Sequence, residues 1–122
     1  MDSLKIISLG GFGKVTSNMF VYEYADDILL VDCGIGFPTE DMLGVDLLIP
    51  DISYLKNKIN HIKALVLTHG HEDHTGALPY ILPQLKSVSV YASKLTAHLV
   101  MEKLAEYQGV PKQVNILIPG QP

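Results

Sequence analysis

An apolar run, residues 62–67, leads directly into Thr68, His69, Gly70, His71, Glu72, Asp73 and His74, so three of the chain's five histidines and one aspartate fall within six positions. This junction constrains the fold more than any other stretch. A buried strand has to end here and present its polar continuation at a sheet edge. His69 and His71 stand two apart, so in an extended segment their side chains point the same way. Two such imidazoles suit one borderline-soft ion such as Zn²⁺. Asp73 and His74 follow where the chain enters a helix, and an oxygen and a nitrogen there can hold a second ion beside the first. Two ions roughly 3.5–4 Å apart can share a bridging hydroxide and neutralise charge on a phosphoryl or carbonyl oxygen. Gly70 is expected to supply a backbone conformation that a Cβ would oppose. The plainer alternative is a surface cluster that chelates without catalysis.

Other chemical signatures fail on spacing. The zincin pattern needs a second histidine at position 75, which is Thr75. The Walker pattern is absent. Gly11-Phe12-Gly13 opens like a dinucleotide fingerprint, but Thr16 stands where the last glycine belongs.

Along the chain, Leu4 to Leu9 reads as a strand, and residues 10–17 as a turn-rich connection. Asn18 to Tyr24 alternates and is aromatic and β-branched, which predicts a second strand. Asp26-Asp27 carries turn chemistry. Ile28 to Asp32 is a short apolar strand expected to be buried on both faces. Residues 34–53 form a long loop that serves as a cleft wall or as a cover for a sheet face. Ser53 is placed to cap a short helix through Asn60, with His61 as a solvated loop residue. Ile62 to Thr68 delivers the histidine cluster. A helix starts near His74, tolerating Pro79 in its first turns and ending or kinking at Pro83. The dipole at its N-terminus favours Asp73. Val88 to Ala92 predicts a strand. Ser93 predicts a cap for a helix through Gln108 with an apolar stripe of Ala97, Val100, Met101, Leu104 and Tyr107. Lys94, His98, Glu102 and Glu106 fall on the opposite, solvated face. Gly109 and Pro111 stop it, and Gln113 to Ile118 is a last strand. This order, strands first and then strands alternating with helices, predicts an α+β domain with a mixed sheet and helices on one face.

At 122 residues the chain is one domain at most. Its apolar content of 48% fits a real core. No run of about 18 apolar residues suggests a membrane helix. The N-terminal sequence lacks a secretory pattern, so the cytoplasm is the expected compartment. The single cysteine, Cys33, cannot close an internal disulfide and reads as a small buried residue. A net charge of −4 argues against a basic nucleic-acid platform.

The pattern His69-x-His71-x-Asp73-His74 resembles the signature of the metallo-β-lactamase superfamily. The longer run Leu67 to Tyr80, with Gly76-Ala77-Leu78-Pro79-Tyr80, is similar to its RNA-processing branch, the ribonuclease J family. The run Met42 to Leu55 resembles the same branch, as do Gly10-Gly11, Asn18-Met19 and Val31-Asp32. Thr75, Lys14-Val15-Thr16-Ser17 and Cys33 depart from the family pattern without removing a metal ligand.

The resemblance implies the N-terminal half of an αββα sandwich, in which a second sheet and further ligands lie downstream. It implies a metal-dependent ribonuclease with two Zn²⁺ ions in a complete site, Mn²⁺ being the alternative. His69 and His71 would hold one ion, Asp73 and His74 the other, and Asp73 would orient the nucleophile. Asp32 would support the loop through hydrogen bonds. The implied partner is RNA, with phosphate contacts made by the metals and by segments outside this chain. A half-sandwich would expose an apolar sheet face and so pair with a second copy or with the rest of a longer chain. The competing expectations are a non-catalytic fragment or interaction module, and a small-molecule ester, thioester or lactam hydrolase.

Overall fold

The computed structural model describes residues 2–11 and 16–122. The Gly-x-Gly start and the departure at Lys14-Val15 therefore lie partly outside the described residues. Three strands, β1 (Leu4–Gly10), β2 (Met19–Tyr24) and β3 (Asp27–Val31), form an antiparallel meander. β4 (Ile62–Val66), β5 (Val90–Ala92) and β6 (Asn115–Ile116) then add in parallel, giving a six-stranded mixed sheet in sequence order. Helices α1 (Glu72–Thr75) and α2 (Leu78–Leu85) connect β4 to β5, and α3 (Lys94–Leu104) connects β5 to β6. The parallel half forces these crossovers, because adjacent parallel strands cannot be joined by a tight turn.

The core lies on one face of the sheet. Met19, Val21, Ile28, Leu30, Leu65, Val90 and Ala92 pack with Leu78, Ile81, Leu82 and Leu85 of α2 and with Ala97, Val100 and Leu104 of α3. Each large aliphatic side chain buried there contributes roughly 1.5–3 kcal/mol. The stripe on α3 follows the predicted period, with Met101 and Tyr107 packed at its margin. Lys94, His98, Glu102 and Glu106 are exposed, as their positions opposite that stripe require.

The opposite sheet face is open. Leu4, Ile6, Tyr24 and Leu29 alternate with the core residues and are exposed. This corrects the expectation that β3 is buried on both faces. Ile28 and Leu30 are buried, whereas Leu29 is 38% exposed, because no second layer covers its side of the sheet among the described residues.

Several boundaries also differ from expectation. The β2–β3 turn is Ala25-Asp26, with Tyr24 opposite Asp27 and Ala25 at φ +52°. Residues 53–61 form two 3₁₀ turns, Ser53–Leu55 and Ile59–His61, rather than one helix. Ser53 gives no N-cap; its hydroxyl donates back to Asp51 at 2.5 Å. His61 is tied down, with Nδ1 2.9 Å from the Asp26 carbonyl. The expected helix after the histidines is split at Gly76-Ala77, so Pro79 sits in the first turn of a second helix and Pro83 is accommodated in its last turn. Ser93 occupies the N-cap position of α3 without a side-chain bond, and α3 ends at Leu104, short of Gln108. The last strand contracts to Asn115–Ile116. The loop 37–47 is closed at its base by a two-way backbone bridge between Gly36 and Leu48, at 2.8 and 2.9 Å.

Residues 33–35 run directly beneath α1. Cys33 and Ile35 donate their N–H groups to the carbonyls of His74 and Glu72, at 2.8 and 3.0 Å. Gly34 lies between them, so close that a Cβ there would stand 1.7 Å from the Asp73 carbonyl oxygen. Cys33 is wholly buried, and desolvation, followed by the charge of Asp32, pushes its thiol far above the usual range. It is therefore an uncharged packing residue.

At the other end of β2, Glu23 faces the core at 8% exposure. The Tyr54 hydroxyl donates to its carboxylate, and Lys58 Nζ lies 3.2 Å away while also bonding Tyr54 at 2.9 Å. These partners, Tyr54 foremost, hold the Glu23 carboxyl below its ordinary pKa. A depressed pKa adds stability above the unfolded-state value of about 4.3 that is lost as pH falls through the lower folded value.

Gly34→Ala is expected to cost about 3 kcal/mol or more, since backbone sits in the way of the added carbon; an unchanged urea midpoint would refute this crossing. Glu23→Gln is expected to lower the melting temperature at pH 7, with the gap to wild type closing below pH 4. A gap that stays constant down to pH 3 would mean that the Glu23 charge contributes nothing.

Candidate metal centre

The centre sits where β4 ends. After Val66 the chain leaves the sheet, and Thr68 is caught by Asp32 at the end of neighbouring β3. The Asp32 carboxylate accepts the Thr68 N–H at 2.8 Å and its hydroxyl at 2.8 and 3.0 Å. It also lies 2.7 Å from His74 Nδ1. Asp32 is 3% exposed and takes a left-handed backbone, φ +65°. An aspartate tolerates that region better than most residues. Its own N–H is anchored to the Val66 carbonyl at 2.9 Å.

Donor bookkeeping then sets the imidazoles. A carboxylate only accepts, so the His74 Nδ1 that faces Asp32 carries the proton and Nε2 presents a lone pair. The Thr68 hydroxyl donates to Asp32 and has lone pairs left. It lies 3.1 Å from His69 Nδ1, which can therefore donate to it and leave His69 Nε2 as an acceptor. Metal-binding histidines are oriented by this kind of outer contact.

His69, His71 and Asp73 offer ligand atoms that all lie within 4.8 Å of one another. Atoms each about 2.0–2.1 Å from a shared Zn²⁺ cannot stand more than roughly 4.2 Å apart, so small rotamer changes bring these three to one ion. The rings of His69 and His71 lie 4.7 Å apart, and those of His69 and His74 4.0 Å apart. The Asp73 carboxylate stands near both groups, within reach of His69 and His71 and 3.4 Å from His74 Nε2. Mixed nitrogen and oxygen donors of this kind fit Zn²⁺ or a similar divalent ion.

The glycine constraint falls elsewhere than expected. Gly70 has no positive φ, and a Cβ there would meet only the flexible end of Leu99, at 3.0 Å. Gly34, not Gly70, is the glycine pressed against the Asp73 backbone. Sequence reasoning also assigned no role to Thr68 or Asn18. The first is legible only once Asp32 is known to lie beside it. The second reaches the loop from just before β2, donating Nδ2–H to the Asp73 carbonyl at 2.9 Å. At α1, Lys103 of α3 pairs with the Glu72 carboxylate, which draws that side chain toward α3.

Comparison with known proteins gives a consistent picture. A model of the metallo-beta-lactamase superfamily matches residues 12–121. Ribonuclease J of Mycobacterium tuberculosis is 43% identical over 113 residues, covering 93% of this chain and 20% of that protein. Ribonuclease J2 of Bacillus subtilis is 46% identical over 106 residues, covering 87% of this chain and 19% of that one. The chain thus spans about one fifth of the length of these relatives. Among solved structures, Rm3 metallo-beta-lactamase shares the fold with a TM-score of 0.54 at 19% identity, over 92% of this chain and 40% of that one. With the superfamily match running through β2, the histidine loop and β6, this chain belongs to the metallo-β-lactamase superfamily.

Proposed function

We propose that this chain is the N-terminal half of a metallo-β-lactamase-like domain and carries the first part of a two-metal site for hydrolysing RNA phosphodiester bonds. The observation that carries the reading is the gathering of His69, His71 and Asp73, with His74 backed by Asp32. His69 and His71 would hold one divalent ion, and His74 the other, with Asp73 serving the second ion from its place between them. Zn²⁺ suits these donors, with Mn²⁺ as the alternative. Bound ions would supply an acidified water and neutralise charge on a phosphate oxygen. The chain's own residues do the rest. Asp32 keeps the proton on His74 Nδ1, Thr68 orients His69, and Asp73 directs the attacking water.

RNA as the substrate, rather than a small ester, thioester or lactam, is favoured by the likeness to ribonuclease J across most of the chain. Cleavage within the strand or from the 5′ end, and location in the cytoplasm, belong to the same reading. The net charge of −4 leaves phosphate binding to the ions and to segments beyond this chain.

A second reading, a non-catalytic piece or interaction module, is favoured by the open apolar face of Leu4, Ile6, Tyr24 and Leu29. That face would be covered by the remainder of a longer chain or by a second copy, and the ligand set completed there.

Elemental analysis and a labelled-RNA cleavage assay separate the two readings. Wild type is expected to retain zinc and His71→Ala and Asp73→Ala to lose it, while Asp32→Asn weakens metal affinity about 10–100-fold. A folded wild-type chain that takes up no metal and cuts no RNA would favour the module. Asp73→Ala with full metal content would refute the ligand assignment.

A further inference from the structure

Asn18, the residue before β2, lies two strands from β4 and yet reaches the metal loop and its strap. Its backbone N–H and its side-chain Nδ2–H both reach the Asp73 carbonyl oxygen, at 3.1 and 2.9 Å. Its own carbonyl accepts the N–H of Gly34 at 2.9 Å, the residue that passes under Asp73. Nδ2 also lies 3.4 Å from His74 Nε2. The residue is buried, at 9% exposure. Space for it is made by Gly11, which takes φ +85° and where a Cβ would stand 2.5 Å from Asn18 Oδ1.

These contacts have a joint consequence. Two donors on one carbonyl stop the Asp73 peptide from rotating, and this fixes the direction in which its carboxylate leaves the backbone. A primary amide has two N–H groups on one nitrogen. One is spent on Asp73, and the other is aimed at the ring nitrogen of His74 that Asp32 leaves unprotonated. At 3.4 Å this second contact is at the weak limit of a hydrogen bond. It steers the ring while leaving the lone pair free for an ion. We infer that Asn18 is a positioning residue of the metal centre, setting Asp73 through its main chain and holding the His74 ring at the nitrogen opposite Asp32.

The inference rests on the proposed metal reading, and two measurements keep their failures apart. The first needs no metal: hydrogen exchange of the Asn18 side-chain amide in the wild-type chain, followed by NMR. Slow exchange is expected; exchange at the rate of a free amide would overturn the inference. The second is titration with Co²⁺, read by its visible spectrum, on wild type and on Asn18→Leu. Leucine keeps the volume and removes the donors, so a packing role would survive it. About tenfold weaker binding with an altered spectrum is expected, the scale seen when an outer contact of a metal ligand is lost. Wild-type affinity and spectrum in a folded Asn18→Leu chain would overturn the inference, and if that variant does not fold, the amide exchange decides. A wild-type chain with a protected amide that takes up no Co²⁺ would overturn the metal reading itself, and the positioning role with it.

Discussion

The Asp32 carboxylate is the point at which sheet and site become one structure. It gathers a main-chain N–H, a hydroxyl and an imidazole N–H from residues 36 to 42 positions away in sequence. Charge-assisted bonds in a buried place are the strong ones, and a carboxylate so enclosed is tolerable because donors meet both of its oxygens. The left-handed backbone of Asp32 is a local cost of the kind that persists where surrounding bonds over-determine it. The turn at Asp32 aims the carboxylate across to the neighbouring strand end.

The second constraint is the strap under α1. A four-residue helix has no stability of its own, since nucleation consumes more entropy than one turn of bonds returns. Its conformation is borrowed. The carbonyls of Glu72, Asp73 and His74 receive N–H groups from Ile35, Asn18 and Cys33. In return the Cys33 carbonyl accepts from Ala77, just where α1 gives way to α2. The Glu72 carbonyl also accepts from Gly76, so there the strap uses the second lone pair. Gly34 is indispensable here because the two backbones pass at a distance that no side chain permits.

How much of this was legible follows from the range of each interaction. The candidate ligands stand together in sequence, so spacing alone picks out His69, His71, Asp73 and His74 as a cluster. The stripe on α3 is equally local, and Ala97, Val100 and Leu104 are buried as its period requires. What could not be read depends on partners far away in sequence. The open face beside Leu29 depends on a layer that no local pattern reports, because Ile28-Leu29-Leu30-Val31 is apolar whichever side is covered. Residues 53–61 are helix-compatible in composition, but Asp51 takes the Ser53 hydroxyl and Glu23 takes Tyr54 and Lys58. Those tertiary partners leave only 3₁₀ turns. The glycine demand was assigned to Gly70 because it lies inside the motif. The actual demand, at Gly34, arises from a crossing of two segments some forty residues apart, which spacing cannot express.

The arrangement also explains why the candidate ligands sit on the rim and not in the core. The apolar side of the sheet is spent on α2 and α3, which fix the ends of β4 and β5. What emerges beyond those ends is backbone with unpaired groups, and each such group needs a partner. Asp32, Asn18 and the strap supply those partners, so the loop is held by hydrogen bonds where packing is thin. The side chains of His69, His71 and Asp73 are thereby left half-buried or exposed, outside the hydrophobic layer and free of its desolvation cost. A rim of this kind keeps donor atoms convergent without burying them.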